Sequence, residues 1–319
     1  MKDTYGRNIR YLRVSVTDRC NLRCMYCMPE EGVCKKTHPD MLSLEEIYQI
    51  IEASAEMGFD KIRITGGEPL VRKNIEWLVK KTAELEGIKD IAMTTNGILL
   101  AEYAEKLKDA GLNRVNISLD TLDVEKFREI TRGGDIERVL EGIKAALNHG
   151  LTPIKINTVL IGGFNDDEIE DLAELTLNHD IHVRFIELMP IGHAADWSKE
   201  KFIPNETVLE RLENLIPLEN EDGSPARTYK MPGAKGTIGL INPISQHFCN
   251  TCNRLRLTAD GKLKPCLHSD KEIDVKKGLG DKEEIKKIIV DTIEMKPKAH
   301  HINDKDYKPI TRDMNNIGG

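Results

Sequence analysis

Over its first 190 residues the chain alternates short β-branched runs with helical patterns, six times in succession, and this constrains the fold more than any other feature of the sequence. Extended runs are expected over 9–16, 61–65, 91–94, 114–119, 154–160 and 182–188, with helices near 43–57, 73–86, 101–110, 135–149 and 166–179. The first helix is the most clearly marked: Ser43 and Glu46 make a capping box, Leu44, Ile47 and Ile51 share one face, and Gly58 ends it. Repeated βα units imply a parallel sheet whose right-handed crossovers bring the strand C-termini to one rim. The expected class is α/β, with functional residues at that rim.

Parallel strands covered by helices usually read as continuous apolar runs, but these alternate. Arg13, Ser15 and Thr17 interleave with Leu12, Val14 and Val16; Arg63 and Thr65 with Ile62 and Ile64; Asn116 and Ser118 with Val115, Ile117 and Leu119. Lys155 and Asn157 alternate with Ile154 and Ile156, and His182 and Arg184 with Ile181, Val183 and Phe185. One face must therefore line something wet. In a barrel, Arg13, Arg63, Lys155 and Arg184 converge on one lumen without an equal supply of inward carboxylates. Taken singly, each reads as a snorkelling or ion-paired side chain. Four at equivalent strand positions point to phosphate recognition.

The anion must be caught locally, because 46 Lys and Arg against 53 Asp and Glu leave a net charge of −7 and no general basic field for nucleic acid. No apolar run approaches the roughly 18 residues that span a bilayer, and the first ten residues hold no apolar signal segment, so a cytoplasmic protein without membrane contact is expected. After Met189 and Pro190 the texture changes, and Pro and Gly break up shorter elements. A division into 1–200 and a smaller α+β domain over 201–319 is expected, with a helix near 205–215 and strands around 227–231, 236–241 and 254–258. The charged stretch 271–294 reads as helical, and the tail 296–319 reads from composition alone as disordered.

Seven cysteines stand at 20, 24, 27, 34, 249, 252 and 266, an odd number in clumps that suits thiolate ligation better than disulfides. Cys20, Cys24 and Cys27 are spaced C-x3-C-x2-C; Cys249, Cys252 and Cys266 are spaced C-x2-C-x13-C. Each group offers three thiolates and neither offers four. Structural zinc is normally closed by four protein ligands, whereas a four-iron cluster on three thiolates leaves one iron open for chemistry. His38 or Cys34 could complete a zinc site in the first group. Taken alone, the second suits zinc equally well, since His247 and His268 stand two residues outside its outer cysteines. Cys34 reads as a spare thiol.

The run Cys20-Asn21-Leu22-Arg23-Cys24-Met25-Tyr26-Cys27, followed by Thr65-Gly66-Gly67-Glu68-Pro69, resembles the radical S-adenosylmethionine superfamily. The resemblance implies a four-iron cluster on the three cysteines. Its open iron binds S-adenosylmethionine and, once reduced by an external one-electron donor, splits it to methionine and a 5'-deoxyadenosyl radical. The second triad with Arg254 and Arg256, together with Thr94-Thr95-Asn96-Gly97, Asn116 to Asp120, Lys155 to Val159, Arg184 to Pro190 and the terminal Met314 to Gly319, resembles the GTP 3',8-cyclase family of molybdenum cofactor biosynthesis.

That likeness runs nearly end to end. It implies a partial (β/α)6 barrel of the TIM type closed by the C-terminal domain, and two 4Fe-4S clusters facing one another, the second binding the guanine of GTP. The radical takes the ribose 3' hydrogen, and the resulting carbon radical attacks guanine C8, giving 3',8-cyclo-7,8-dihydro-GTP. By the same resemblance the cluster ligands are Cys20, Cys24, Cys27, Cys249, Cys252 and Cys266; S-adenosylmethionine contacts fall on Tyr26, Gly67, Ser118 and Met189; and GTP contacts fall on Arg13, Arg63, Thr94, Lys155, Arg254 and Arg256. Arg184 is left open between ligand and structural ion pair. Gly318 and Gly319 are implied to enter the cavity and serve catalysis, while Asn315 and Asn316 carry no assignment. Two rivals remain: a radical enzyme that modifies peptides with an auxiliary cluster, and a non-catalytic zinc or iron-sulfur protein. Monomer and homodimer are both compatible with the sequence.

Overall fold

The structure, a computed structural model, describes residues 1–32, 40–220, 223–304 and 306–318. Cys34, His38 and Gly319 lie outside the described residues. Six parallel strands run in chain order: β1 (Tyr11–Ser15), β2 (Lys61–Thr65), β3 (Asp90–Thr95), β4 (Arg114–Ser118), β5 (Ile154–Leu160) and β6 (Ile181–Glu187). Their crossovers carry α1 (Leu44–Glu56), α2 (Ile75–Ala83), α3 (Leu100–Asp109), α4 (Val124–Thr131), α5 (Ile136–Asn148) and α6 (Ile169–Asn178). Helix α1 begins as its sequence predicts, with Ser43 Oγ accepting from the Glu46 N–H (3.1 Å) and Glu46 Oε2 from the Ser43 N–H (2.7 Å). Helix α4, capped by Asp123, was not expected; it shares its crossover with α5.

Alternate strand residues, among them Leu12, Val14, Ile62, Ile64, Val115, Ile117, Ile154, Ile156, Val183 and Phe185, pack with the helices' apolar stripes into one core. Their polar neighbours face the other side, as the alternation requires. The remaining chain extends this sheet at both edges. After the short α7 (Ala195–Glu200) and α8 (Glu206–Arg211), β7 (Ile216–Leu218), β8 (Ala226–Lys230) and β9 (Ile238–Ile241) join one side, β9 pairing parallel with β6. Next, β10 (Arg254–Leu257), β11 (Lys262–Lys264) and β12 (Ile273–Asp274) join the other side, β10 pairing parallel with β1.

The stretch 271–294 is not one helix: β12 and a 3-10 turn at Val275–Gly278 precede α9 (Lys282–Glu294). Gly278 and Gly280 break the helical run, and Asp281 caps α9 by accepting from the N–H groups of Glu283 and Glu284. The expected helix near 205–215 is likewise shorter, with strand β7 starting at Ile216. The tail is not loose either. Ile310 and Ile317 are buried and pack with Ile191 beside Met189 and Leu267. Composition misjudges this segment because it meets a preformed apolar surface that only the folded barrel supplies. Among the described residues no helix is long and apolar enough to cross a membrane.

Candidate functional site

The first cysteine loop leaves the C-terminal end of β1. Its departure is set by Gly66 and Gly67, which follow β2: the Gly67 N–H donates to Thr17 O (2.7 Å) and the Glu68 N–H to Arg19 O (2.8 Å). A Cβ on Gly66 would lie 2.8 Å from Thr17 O, and one on Gly67 would collide with the Arg19 carbonyl. The glycine pair therefore lets the backbone of 17–19 come close, and so places Cys20. Glu68, wholly buried, accepts from the Leu70 N–H (3.0 Å), Thr95 Oγ1 (2.7 Å) and the Asn96 N–H (2.7 Å), tying the ends of β2 and β3 together. Burial pushes its carboxyl up to about 7 despite these donors. Asn96 Nδ2 reaches back to Asn21 Oδ1 (2.8 Å) and lies 3.7 Å from Cys20 Sγ.

The rest of the loop docks on the unexpected α4. The Arg23 N–H donates to Thr131 O and the Met25 N–H to Ile130 O, and Arg132 Nη1 donates to the carbonyls of Arg23 and Met28 (both 3.0 Å). The Tyr26 hydroxyl donates to Asp120 Oδ2 (2.6 Å), just beyond Ser118 at the end of β4. Burial raises the thiols of Cys20 to about 11 and Cys27 to about 12, and Cys24 well above its usual range; Cys27 and Cys20 raise Cys24 further, and Cys20 raises Cys27. Three thiols that face each other out of water hold their charge poorly unless positive metal ions share the site. That donor set fits an iron-sulfur cluster.

The second group lies at the opposite end of the sheet. Cys252 stands two residues before the first residue of β10, and Cys266 follows β11, which runs antiparallel to β10. Since β10 is parallel to β1, these cysteines sit at the strands' N-terminal end. Five residues of strand separate the two groups, roughly 16 Å at about 3.3 Å per residue. Not every candidate residue is at the C-terminal rim, because the β10 edge delivers its cysteines to the other mouth. Buried Glu187 supports the loop leading there, accepting from the N–H groups of Ile244 (2.9 Å) and Ser245 (3.0 Å). Burial would raise the Cys252 thiol, but Arg254 and Lys296 outweigh it and bring it down to about 6. Among the described residues no three His, Cys, Asp or Glu side chains gather about a point fit for one metal ion. Thiolates at the corners of a cluster stand farther apart than thiolates around a single zinc.

On the polar face of the sheet, bordered by the second cysteine group, is a cavity of about 240 Å³; Cys20, Cys24 and Cys27 are not in its lining. Its wall is a register pattern. Arg256, Arg13 and Arg63 pair directly across β10, β1 and β2, and the row continues through Ala92 to Arg114 on β4. The next row holds Thr94, Asn116 and Lys155, and another Ser118, Asn157 and Arg184. Among the described residues, nine Lys and Arg side chains line the cavity against one carboxylate, Asp90, which is paired with Arg114. Like charges directly opposite one another are unfavourable. Burial, and then Arg256, hold Arg13 well below its ordinary range; burial, and then Arg254, bring Arg256 to about 10. Neither amide atom of the wholly buried Asn116 has a partner, nor has Thr94 Oγ1. A wall so rich in cations, with the polar atoms of Asn116 left over, suits a polyanionic, hydrogen-bonding ligand.

Of the residues expected from sequence, Arg13, Arg63, Lys155, Arg254, Arg256, Met189, Cys249, Cys252 and Cys266 line this cavity, and Arg184 joins them. Thr94 is beside it on β3 rather than in its lining. Tyr26, Gly67 and Ser118 gather around the first cysteine loop at the strand ends. Gly318 enters from the tail with a left-handed φ of 68°; its carbonyl accepts from Arg256 Nη1 (2.8 Å) and Arg13 Nη2 (3.3 Å), and a Cβ there would strike Thr65 Oγ1. Sequence reasoning passed over Lys61, Arg114 and Lys296. Lys61 and Arg114 open their strands, where the alternating pattern is shortest, and Lys296 lies outside any strand.

The chain matches the Radical SAM superfamily over residues 14–176 and Molybdenum Cofactor Synthesis C over 181–302. It is 56% identical to a GTP 3',8-cyclase of Alkaliphilus oremlandii over the full length of both chains. It is 59% identical to the GTP 3',8-cyclase of Peptoclostridium acidaminophilum, covering 99% of this chain and 98% of that one. Among solved structures, Streptococcus suis SuiB superposes with a TM-score of 0.61 at 17% identity over 85% of this chain, which spans 64% of SuiB's length. The anSMEcpe protein with bound AdoMet gives 0.54 at 14% identity, over 92% of this chain and 79% of its own; both likenesses concern the fold. Two opposed cysteine triads, a cationic lumen and full-length identity above one half agree: the chain belongs to the radical SAM superfamily and, within it, to the GTP 3',8-cyclase family.

Proposed function

We propose that this protein is a GTP 3',8-cyclase acting at the first step of molybdenum cofactor biosynthesis, with two four-iron clusters and S-adenosylmethionine. The observation that carries the reading is the in-register row Arg256, Arg13 and Arg63, lining a cavity that the second cysteine triad borders, with the first triad following the C-terminal end of β1. When bound, the first cluster and S-adenosylmethionine supply a carbon radical able to take hydrogen from an unactivated ribose position. The chain's own part is to hold the substrate still between the two ends. Arg13, Arg63, Lys155 and Arg256 neutralise the triphosphate. Arg254, stacked 4.9 Å from the Phe248 ring, borders the second triad, where the guanine is expected. Thr94 and Asn116 offer unpaired polar atoms to the nucleoside. Tyr26, Gly67, Ser118 and Met189 bound the space for S-adenosylmethionine. Gly318 closes the lumen from the tail side, which keeps water from a reactive intermediate.

The electron comes from an external one-electron donor, and thiol ligation rather than disulfides supports a cytoplasmic setting. The test is anaerobic incubation with S-adenosylmethionine, dithionite and GTP, followed by mass spectrometry. Formation of 5'-deoxyadenosine that depends on GTP supports the reading. A reconstituted protein with four irons and one zinc per chain would remove the second cluster and the reading with it.

A further inference from the structure

Lys296 follows α9 and is only 3% exposed, a rare position for an ammonium. Its Nζ donates to Arg254 O (2.8 Å) and Pro265 O (2.7 Å) and lies 3.6 Å from Cys252 Sγ. An ammonium carries three N–H groups and no lone pair, and these three acceptors use all of them. A neutral amine would turn a lone pair on one acceptor, so the geometry is that of a charged group. The partners are also informative in sequence: Arg254 follows Cys252 by two residues, and Pro265 directly precedes Cys266.

Arg7 braces the third cysteine from the same direction. It is 7% exposed, its Nη1 donates to the carbonyls of Cys249 (2.8 Å) and Lys298 (3.1 Å), and its Nη2 donates to Pro297 O (2.8 Å). Segment 296–298 is thereby tied to the surroundings of all three cysteines by two cations. They differ in one respect. Arg7 is paired with the Asp3 carboxylate (2.6 Å) and donates its remaining hydrogen bonds to carbonyl oxygens, whereas the partners of Lys296 are two carbonyls and a cysteine sulfur, with no carboxylate among them.

We propose that Lys296 is a positioning residue for the second cluster: it fixes the Cys252 sulfur against the Arg254 and Pro265 backbone, and its charge raises the cluster's reduction potential. This rests on the reading that Cys249, Cys252 and Cys266 hold a four-iron cluster. An electron added to such a cluster spreads over its sulfurs, and a positive charge against one of them in a low-dielectric pocket stabilises the reduced form. The same charge draws electron density from the cluster, leaving its open iron a better acceptor for a nitrogen or oxygen of the substrate.

The test is a redox titration of the holoenzyme followed by electron paramagnetic resonance, with iron counted, for wild type, Lys296→Met, Lys296→Gln and Lys296→Arg. The expected result is a second-cluster midpoint shifted to more negative potential in the Met and Gln variants, an unmoved first-cluster midpoint, and recovery towards wild type in the Arg variant. If the neutral variants lose the second cluster's iron while the Arg variant keeps it, the need for charge is equally supported. A full iron count with unchanged midpoints in Met and Gln overturns the role of Lys296 while leaving the cluster reading intact. Loss of iron from all three variants, with equal loss of thermal stability, overturns it in favour of simple packing. A wild-type protein with only one cluster overturns both.

Discussion

Arg13 has an Arg on either side in register, Arg256 and Arg63, and among the described residues its wall holds a single carboxylate. Like charges this close repel, and an anion that bridges them relieves the repulsion. A charge-assisted contact of this kind is worth about 1.5–3 kcal/mol, so Arg13→Ala should weaken GTP binding roughly 10- to 100-fold in calorimetry. Guanosine should lose much less. Equal losses for both ligands would mean that Arg13 braces the fold and does not read phosphate. The cysteines make the complementary case. Cys24→Ala should abolish deoxyadenosine formation yet leave the second cluster's iron, because the two triads share no ligand and stand at opposite strand ends. Full activity in that variant would refute the assignment.

Among the elements, the joint between β1, β2 and the first cysteine loop has the least room. Gly67 lies against the carbonyl of Arg19, which is backbone and cannot move aside as a flexible side chain would. Gly67→Ala should therefore push residues 17–20 off β2, costing about 1–3 kcal/mol of overpacking. The expected readout is loss of about half the iron, with the first cluster's signal missing and the second's retained. A variant with both clusters and a wild-type melting temperature would show that the loop has slack. Helix α4 belongs to the same joint, since its last turn receives the Arg23 and Met25 N–H groups.

Across the whole molecule, segments near the chain's two ends pack against one another. Strand β10 pairs with β1, Arg7 reaches Lys298, and Asn315 Nδ2 donates to Asp18 O (3.1 Å). Asn315 is 1% exposed and anchors the tail beside the first cysteine loop, although its sequence position carried no assignment. Deleting Gly318 and Gly319 should leave iron content and melting temperature near wild type, since Ile317 and Asn315 keep their burial, but should stop formation of the GTP-derived product. Wild-type turnover by the shortened chain would make the tail mere packing. Asn315→Ala should have a milder effect of the same kind, lowering product yield while the iron stays, and Asn315→Asp should not restore it, because a carboxylate cannot donate to the Asp18 carbonyl.

Strand order, the polar lumen and the convergence of Arg13, Arg63 and Lys155 follow from the sequence alone, because a period of two is a local property and names the face on which each side chain lies. The cysteine spacings likewise carry their chemistry within a few residues. What periodicity cannot report is which distant segment completes a face. Arg7 with Lys298, Lys296 with Cys252, and Gly318 with Arg256 are contacts between parts of the chain that close only after the barrel has formed. The tail lacks periodicity and looks disordered until a buried apolar surface and the inward guanidiniums of Arg13 and Arg256 are available to receive it. The second triad's place at the N-terminal mouth was decided by β10 pairing parallel to β1, a choice of sheet edge that only the tertiary packing makes.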